Sequence, residues 1–263
     1  MIDSHAHIGE FRDWAFSIND LYIEMQKNGI ARAIISNISG NEFDYEHNKL
    51  NEMSSYEVNE VTLEMTKPYG NIFKILAWIR PFSETDTDSL ERLIEDNRNQ
   101  VVGLKVHPFT AKVPMNDTRY DKYLALCQKY HLPFCILTEE VGYSNVHFVA
   151  SLAQKYPNVQ FVMVHMGLRT DHKEALSYLL KYPNLYGDTT IVDTDTVMEV
   201  LSSPLKTRIL FGSDAPTLGA DSYSQYASMH KLIKEKFDNN TIANLYQNNC
   251  VRLFGLEDSW TVD

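Results

Sequence analysis

The segment VHFVASLAQKYPNVQFVMVH, residues 146–165, contains one complete helix-and-strand unit. Val146 to Tyr156 has the apolar spacing of an amphipathic helix, and Tyr156-Pro157-Asn158 is a stop signal for that helix. Gln160 to His165 is then a continuous apolar run, which is typical of a strand buried on both faces. The segment therefore predicts a parallel β-strand with a covering helix.

The same pattern recurs along the whole chain. Seven further apolar runs predict strands at Ile2 to Ile8, Ala31 to Ile38, Ile72 to Ile79, Val102 to Val106, Phe134 to Thr138, Leu185 to Asp188 and Arg208 to Phe211. Eight repeats of roughly 30 residues predict a parallel sheet, which right-handed crossovers close as an α/β fold, a (β/α)8 TIM barrel. A doubly wound open sheet is the alternative. We expect residues 1–263 to form one domain, because such barrels run to about 250 residues.

Composition excludes several classes of partner. The net charge of −11 and the pI near 5.3 repel phosphate backbones and anionic lipid surfaces, so we expect no nucleic-acid or membrane partner. The chain has neither a secretory signal nor a run of roughly 18 apolar residues, and its three cysteines form no C-x-x-C pair. These features predict a cytoplasmic protein with reduced thiols that can form a homo-oligomer and acts on a small molecule, for which a carboxylate is one candidate.

Polar residues end most of the apolar runs, at the edge where barrel enzymes carry their catalytic groups. They are His5 and His7 on the first strand, Arg80 after the third, Lys105 and His107 on the fourth, Glu139 on the fifth, His165 on the sixth, Asp188 on the seventh and Asp214 on the eighth. Because alternate side chains of a strand share one face, His5 and His7 can hold a single ion. Imidazole and carboxylate groups together indicate zinc or a similar divalent metal, which would activate water.

Six motifs surround these residues and span almost the whole chain: Ile2-Asp3-Ser4-His5-Ala6-His7, Val102-Gly103-Leu104-Lys105-Val106-His107-Pro108, Leu132-Pro133-Phe134, Phe161-Val162-Met163-Val164-His165-Met166-Gly167, Tyr186-Gly187-Asp188-Thr189 and Ile209-Leu210-Phe211-Gly212-Ser213-Asp214-Ala215-Pro216. In order and spacing they resemble the amidohydrolase superfamily, and more closely its amidohydrolase-2 branch, which includes decarboxylases of the aminocarboxymuconate semialdehyde type. The resemblance implies that His5, His7 and Asp214 bind a metal. It also implies that His165 acts on the substrate or on activated water.

The chain departs from this family on the fifth strand. The family usually has a metal-binding histidine shortly after Leu-Pro, and this chain has Leu137 there, which cannot ligate. Two readings stay open. Three protein ligands are completed by His165 or water, or Glu139 takes the place of the histidine, since an extended strand puts residues 137 and 139 on one face.

These observations predict a metal-dependent hydrolase of an amide, a lactone or a similar small molecule. Asp214 would be the general base, and His165 would polarise the scissile group. The alternative is a metal-dependent non-oxidative decarboxylase of an unsaturated or aromatic carboxylic acid. Lys105, His107 and Arg80 are the expected substrate-binding residues, although Arg80 could equally form a surface salt bridge. A second alternative is a degenerate barrel that binds a ligand without turnover.

Overall fold

The computed structural model describes residues 1–140, 142–219 and 221–261. Within this part of the chain there are nine strands: β1 (Ile2–Phe11), β2 (Trp14–Phe16), β3 (Arg32–Asn37), β4 (Phe73–Trp78), β5 (Val101–Val106), β6 (Phe134–Glu139), β7 (Phe161–Leu168), β8 (Leu185–Asp188) and β9 (Ile209–Leu210). The sheet order is β2-β1-β3-β4-β5-β6-β7-β8-β9. All neighbours are parallel except β1 and β2.

Backbone hydrogen bonds join the first strand to the segment that follows the last one. Ser4 N donates to Phe211 O at 2.9 Å, and His7 N donates to Ala215 O at 2.7 Å. Ala6 and Ala215 also form a parallel bridge. The predicted TIM barrel is therefore confirmed, and the open doubly wound sheet is not what forms.

The helices cover the outside of the barrel. They are α1 (Ile18–Lys27), α2 (Ser55–Thr66), α3 (Asp88–Asp96), α4 (Pro108–Ala111), α5 (Asp121–Tyr130), α6 (Val146–Lys155), α7 (Lys173–Lys181), α8 (Thr194–Leu201), α9 (Ala227–Lys236), α10 (Asn239–Ala243) and α11 (Asn249–Phe254). The predicted stop signal is correct, because α6 ends one residue before Tyr156-Pro157-Asn158. The start of a helix is marked in α2, which begins with a capping box formed by Ser54 and Glu57. None of the described helices is long and apolar enough to cross a membrane.

Two apolar layers hold the barrel together. The larger cluster lies between strands and helices and includes Ile35, Ile75 and Phe161. A second cluster packs Ile34, Leu76 and other alternate strand residues against the C-terminal residues, including Trp260. This alternation follows from the strand period of two, and the C-terminal segment covers the N-terminal ends of the strands. The opposite end of the barrel is left for polar side chains.

The first strand is longer than the sequence predicts. It continues beyond Ile8 to Phe11 and then pairs with Trp14–Phe16 as an antiparallel hairpin. Gly9 has a φ of 101°, a backbone conformation that residues other than glycine rarely adopt. The hairpin places Phe11 and Trp14 beside the polar end of the barrel.

Candidate metal centre

Four side chains converge at the C-terminal ends of the strands, and we call them the donor cluster: His5, His7, His165 and Asp214. The Nε2 atoms of His5 and His7 are 3.0 Å apart. Asp214 Oδ1 lies 3.0 Å from His7 Nε2 and 3.4 Å from His5 Nε2. Ligand atoms of His5, His165 and Asp214 all lie within 4.8 Å of one another. The structure thus brings together residues that are up to 209 positions apart in sequence.

The second ring nitrogen of each histidine is held from outside the cluster. His5 Nδ1 lies 2.9 Å from Asp188 Oδ2 and 3.1 Å from Thr190 Oγ1, and His165 Nδ1 lies 3.1 Å from Thr190 O. His7 Nδ1 lies 3.0 Å from Ser36 Oγ. Carboxylate and carbonyl acceptors require a proton on Nδ1, so the Nε2 lone pairs of His5 and His165 face the centre. This arrangement of acceptors behind histidines is typical of metal ligands, and the donor set fits a divalent ion such as zinc.

Burial and charge set the protonation of the cluster. Burial lowers the pKa of His165 and lowers that of His5 well below its ordinary range, so both imidazoles are neutral near pH 7. For Asp214 burial acts to raise the pKa. The hydrogen bond with His7 and the electrostatic attraction of the surrounding histidines outweigh it and lower the pKa, which keeps the carboxylate ionised. Neutral imidazoles beside an ionised carboxylate are the protonation states that metal binding requires.

The backbone is strained at two members of the cluster. His165 has a φ of 65° and Asp214 a φ of 62°, a region that residues other than glycine seldom occupy. Hydrogen bonds hold both conformations: His165 N donates to Asp188 Oδ1 at 2.9 Å, and Asp214 N donates to His5 O at 2.8 Å. Strain of this kind persists where the surrounding structure imposes it, and it is concentrated at functional sites.

A buried carboxylate behind the cluster ties the first strand to the loop after the last. Asp3 Oδ1 accepts from His5 N at 3.0 Å and from Ser213 N at 3.1 Å. Its Oδ2 accepts from Ser213 Oγ at 2.5 Å and from Tyr223 OH at 2.8 Å. Burial raises the pKa of Asp3 to about 7, although the hydrogen bonds act in the opposite direction. Asp3 therefore positions His5 and the loop of Asp214.

Lys105 and His107, two of the expected substrate-binding residues, line a cavity that is also lined by His7, His165 and Asp214. Lys105 is buried, and its Nζ is 3.1 Å from His5 Nε2. Burial lowers the pKa of Lys105 and lowers that of His107 to about 3. The Nδ1 of His107 is buried without a partner among the residues that the structure describes. Leaving a buried nitrogen without a hydrogen bond costs free energy. A ligand that forms a hydrogen bond with this atom would remove that cost.

The other two predicted residues have different surroundings. Glu139 lines the cavity but stands outside the donor cluster, and its Oε1 accepts from Ser144 Oγ at 3.0 Å. Arg80 does not line the cavity. It is buried, and it donates through NH2 to Asn51 O at 3.0 Å and through its backbone N to Ser55 Oγ at 3.0 Å. These bonds turn Arg80 towards the start of α2 and away from the site.

Three members of the donor cluster, His7, His165 and Asp214, line a cavity of about 230 Å³. Aromatic side chains form much of its wall: Phe11, Trp14, Phe16, Tyr45 and Trp78. This volume is below the range of about 300–1,000 Å³ that is usual for drug-sized ligands, so the cavity suits a small molecule.

Sequence reasoning missed the residues that support the cluster. Asp188 was identified only as the polar end of the seventh predicted strand, and no role in the site was assigned to it. Ser36 is a polar residue inside an apolar strand, which is a signal that could have marked it. Asp3 carries the same signal, because it is a polar residue inside the predicted strand Ile2 to Ile8, whereas Thr190 lies beyond the end of a predicted strand and carries none.

A family model described as amidohydrolase matches residues 2–256. No curated protein matches the chain. An amidohydrolase from Burkholderia multivorans with bound zinc has a similar structure, with 16% identity, a TM-score of 0.75, and coverage of 97% of this chain and 99% of that one.

Two further solved structures share the fold. The 5-carboxyvanillate decarboxylase from Sphingomonas paucimobilis is 13% identical with a TM-score of 0.72, covering 98% of this chain and 99% of that one. A probable 2-pyrone-4,6-dicarboxylic acid hydrolase from Acinetobacter baumannii is 13% identical with a TM-score of 0.69, covering 97% and 99%. Both hydrolases and decarboxylases are therefore built on this barrel.

Proposed function

Because the chain belongs to the amidohydrolase family, we propose that it is a metal-dependent hydrolase of a small amide, lactone or similar molecule, with zinc held by the donor cluster. The observation that carries this proposal is the direction of the imidazoles. Acceptors outside the cluster accept hydrogen bonds from Nδ1 of His5 and His165, which leaves the Nε2 lone pairs of both residues free for an ion beside Asp214. A divalent ion there supplies a Lewis acid and lowers the pKa of water.

We propose separate roles for Asp214 and His165. Asp214 is ionised and is our proposed general base, which takes a proton from water at a carboxylate oxygen. His165 presents an unprotonated Nε2, which suits a ligand or a proton acceptor and not a hydrogen-bond donor. We therefore propose that His165, in place of Glu139, provides the ligand that is missing at Leu137. Its action on the substrate, predicted above, would require protonation of Nε2.

Two observations support the cavity as the place where the substrate binds. Lys105 brings a cation to within 3.1 Å of His5 Nε2, and His107 offers an unpartnered Nδ1. The aromatic walls would exclude water from a bound molecule and strengthen each polar contact in the cavity.

Non-oxidative decarboxylation of an unsaturated or aromatic carboxylic acid is the second candidate. Lys105 favours it, because a buried cation beside the donor cluster would attract a carboxylate. The structural similarity to 5-carboxyvanillate decarboxylase adds weight only at the level of the fold. A barrel without turnover is less well supported, since the members of the donor cluster converge and each of its histidines has a hydrogen-bond partner at Nδ1.

Elemental analysis combined with substrate screening tests the proposal. Purified protein should contain a stoichiometric divalent ion, and His5→Ala and Asp214→Ala should both lose it. His147→Ala, on the exposed face of α6, is the matched control and should retain the ion. The zinc-loaded protein is then screened with amides, lactones and unsaturated carboxylic acids. Release of an acid from an amide or lactone supports hydrolysis, whereas release of carbon dioxide supports the second candidate. Full metal retention in both site variants would refute the donor cluster.

A further inference from the structure

The end of the barrel opposite the donor cluster contains a second cavity, which we call the basic cleft. Its volume is about 390 Å³, and its lining includes Lys74 at the start of β4 and Val101 and Val102 at the start of β5. The loop after α3, the last residue of α5 and the end of α11 complete the wall. Among the residues that the structure describes, none lines both this cavity and the one beside the donor cluster. The volume lies within the range of about 300–1,000 Å³ that is usual for small-molecule sites.

The charge of the basic cleft is opposite to that of the whole protein. Among its described lining residues the cations are Lys74, Arg98 and Arg252, and the one carboxylate is that of Glu257. The chain has 35 acidic residues against 24 lysines and arginines, which gives a net charge of −11. A local excess of cations on such an acidic protein favours the binding of anions at that place.

Each of the three cations is held by a neutral group. Their side chains donate to backbone carbonyls, Lys74 to Asn99, Arg98 to Tyr130 and Arg252 to Thr207. Arg252 also donates to Asn249 Oδ1 at 2.8 Å. Within the described parts of the chain, no carboxylate oxygen lies within 4.0 Å of their side-chain nitrogens, although Glu257 attracts Lys74 from farther away. A carbonyl or amide oxygen carries no net charge, so these bonds fix the cations in position without neutralising them.

Helix ends explain only part of this arrangement. Cations near the C-terminal end of a helix interact favourably with its dipole, and Arg98 contacts the last residue of α5 in this way. A guanidinium has five N–H donors, however, and Arg98 uses one of them within the described residues. Elsewhere on the surface lysines pair with carboxylates, as Lys27 does with Glu24 at 2.6 Å. Three cations without such a pair in one cleft therefore indicate a ligand that supplies the negative charge.

Lys74 adds a second observation, because it is a buried cation. It is 3% exposed, and its Nζ lies 5.8 Å from the centre of the Trp260 ring. Burial lowers the pKa of Lys74, while the charge of Glu257 opposes this shift and that of Arg32 adds to it. Burial of a cation without an ion pair costs free energy. An anion in the basic cleft would offset that cost.

We propose that the basic cleft binds a small organic anion that carries at least two phosphate or carboxylate groups. Several groups are needed because Lys74, Arg98 and Arg252 come from separate elements around the cleft. The limited volume and the net charge of −11 argue against nucleic acid or an anionic membrane as the ligand. Binding here is independent of the chemistry proposed for the donor cluster, which lies at the other end of the barrel.

Calorimetric titration tests the basic cleft with two probes, fructose bisphosphate for phosphate groups and tricarballylate for carboxylates. Fructose and the triamide of tricarballylate are the uncharged counterparts. The proteins are wild type, Arg98→Gln, Arg252→Gln, Lys105→Met and Lys231→Gln, all with measured zinc content and circular dichroism. Lys231 is the matched control, because it is an exposed cation of α9 that lines neither cavity. Lys105→Met removes the buried cation of the other cavity.

At least one probe should bind to wild type and bind at least about tenfold more weakly to Arg98→Gln and to Arg252→Gln, because each variant removes a charged hydrogen-bond donor. Lys105→Met and Lys231→Gln should match wild type, and the uncharged counterparts should not bind. The probe that binds more tightly shows whether the cleft prefers phosphate or carboxylate groups.

A failure of both probes to bind to wild type would overturn the proposal. So would wild-type affinity in both arginine variants, or a loss in Lys231→Gln as large as theirs. A loss in Lys105→Met without one in the arginine variants would place the anion beside the donor cluster and would also contradict the proposal.

Discussion

Asp188 holds His5 through a 2.9 Å contact between Oδ2 and Nδ1, although 183 residues separate them. The other oxygen of the same carboxylate, Oδ1, accepts from the backbone N of His165 at 2.9 Å. One buried side chain at the end of β8 thus orients a histidine of β1 and the strained backbone of β7. The orientation of the donor cluster depends on a residue that does not belong to it.

Asp188→Asn should weaken metal binding without abolishing the fold. An amide has the same size as the carboxylate, but it is a weaker acceptor for the hydrogen bond from His5 Nδ1. Loss of a hydrogen bond that orients a metal ligand costs about 10–100-fold in metal affinity. Competition with a chelator of known affinity measures the effect. Asp195→Asn, an exposed change in the first turn of α8, is the control. Equal zinc affinity in both variants would show that Asp188 does not act on the cluster.

The ligand that replaces the missing histidine can be identified by two substitutions. His165→Asn should lose most of the bound zinc, because it removes the Nε2 that faces His5 and Asp214. Glu139→Gln should retain zinc, because Glu139 is bound to Ser144 outside the cluster. Elemental analysis of both proteins decides between them.

The opposite outcome of that pair has a definite meaning. Loss of zinc in Glu139→Gln alone would make Glu139 the ligand. If His165→Asn keeps its zinc and its rate falls by at least about a hundredfold, His165 acts on the substrate instead.

Gly212→Ala should disturb the cluster through close packing. A Cβ at Gly212 would lie 2.6 Å from Thr190 Oγ1 and 2.9 Å from His5 Cβ, so one of these side chains must move. Overpacking of this kind costs about 1–3 kcal/mol of unfolding free energy, and the shift of His5 should also weaken zinc binding. Urea unfolding and chelator competition measure the two effects.

Gly29→Ala is the control variant for Gly212→Ala, because it strains the backbone far from the donor cluster. Gly29 has a φ of 69° and open space around it, so alanine there should lower stability and leave zinc affinity unchanged. Wild-type zinc affinity in Gly212→Ala would contradict the predicted contact with His5.

His230 should make the stability of the protein depend on pH. Burial lowers the pKa of His230 to about 4, and its Nδ1 lies 2.6 Å from Tyr246 OH. Between about pH 6.5 and pH 4 the unfolded chain therefore binds more protons than the folded protein, and stability falls as the pH falls through this window. His230→Gln should show a smaller loss of stability from pH 7 to pH 4.5.

Urea unfolding at both pH values provides the measurement, with zinc removed so that metal release does not contribute. His147→Gln, a change at an exposed histidine of α6, should lose as much stability as wild type over the same range. An identical pH dependence in His230→Gln and wild type would show that His230 does not contribute.

The strand-and-helix pattern could be predicted from the sequence because it is local. A strand buried on both faces requires a continuous apolar run, as in Phe161–Leu168, and the stop signal at Tyr156-Pro157-Asn158 lies next to the helix that it ends. The parity of a single strand likewise placed His5 and His7 together. The short hairpin partner Trp14–Phe16 was missed, because three residues are too few to show a period.

The sequence by itself determined the order of the strands, the class of fold and the identity of the polar residues at the strand ends. Only the tertiary structure decided which of these residues meet. Asp188 reaches His5 across 183 positions and Asp3 reaches Ser213 across 210, whereas Arg80 turns to Asn51 and leaves the site. The physical reason is that hydrogen bonds between distant segments depend on the curvature of the closed barrel, and no short stretch of chain carries that information.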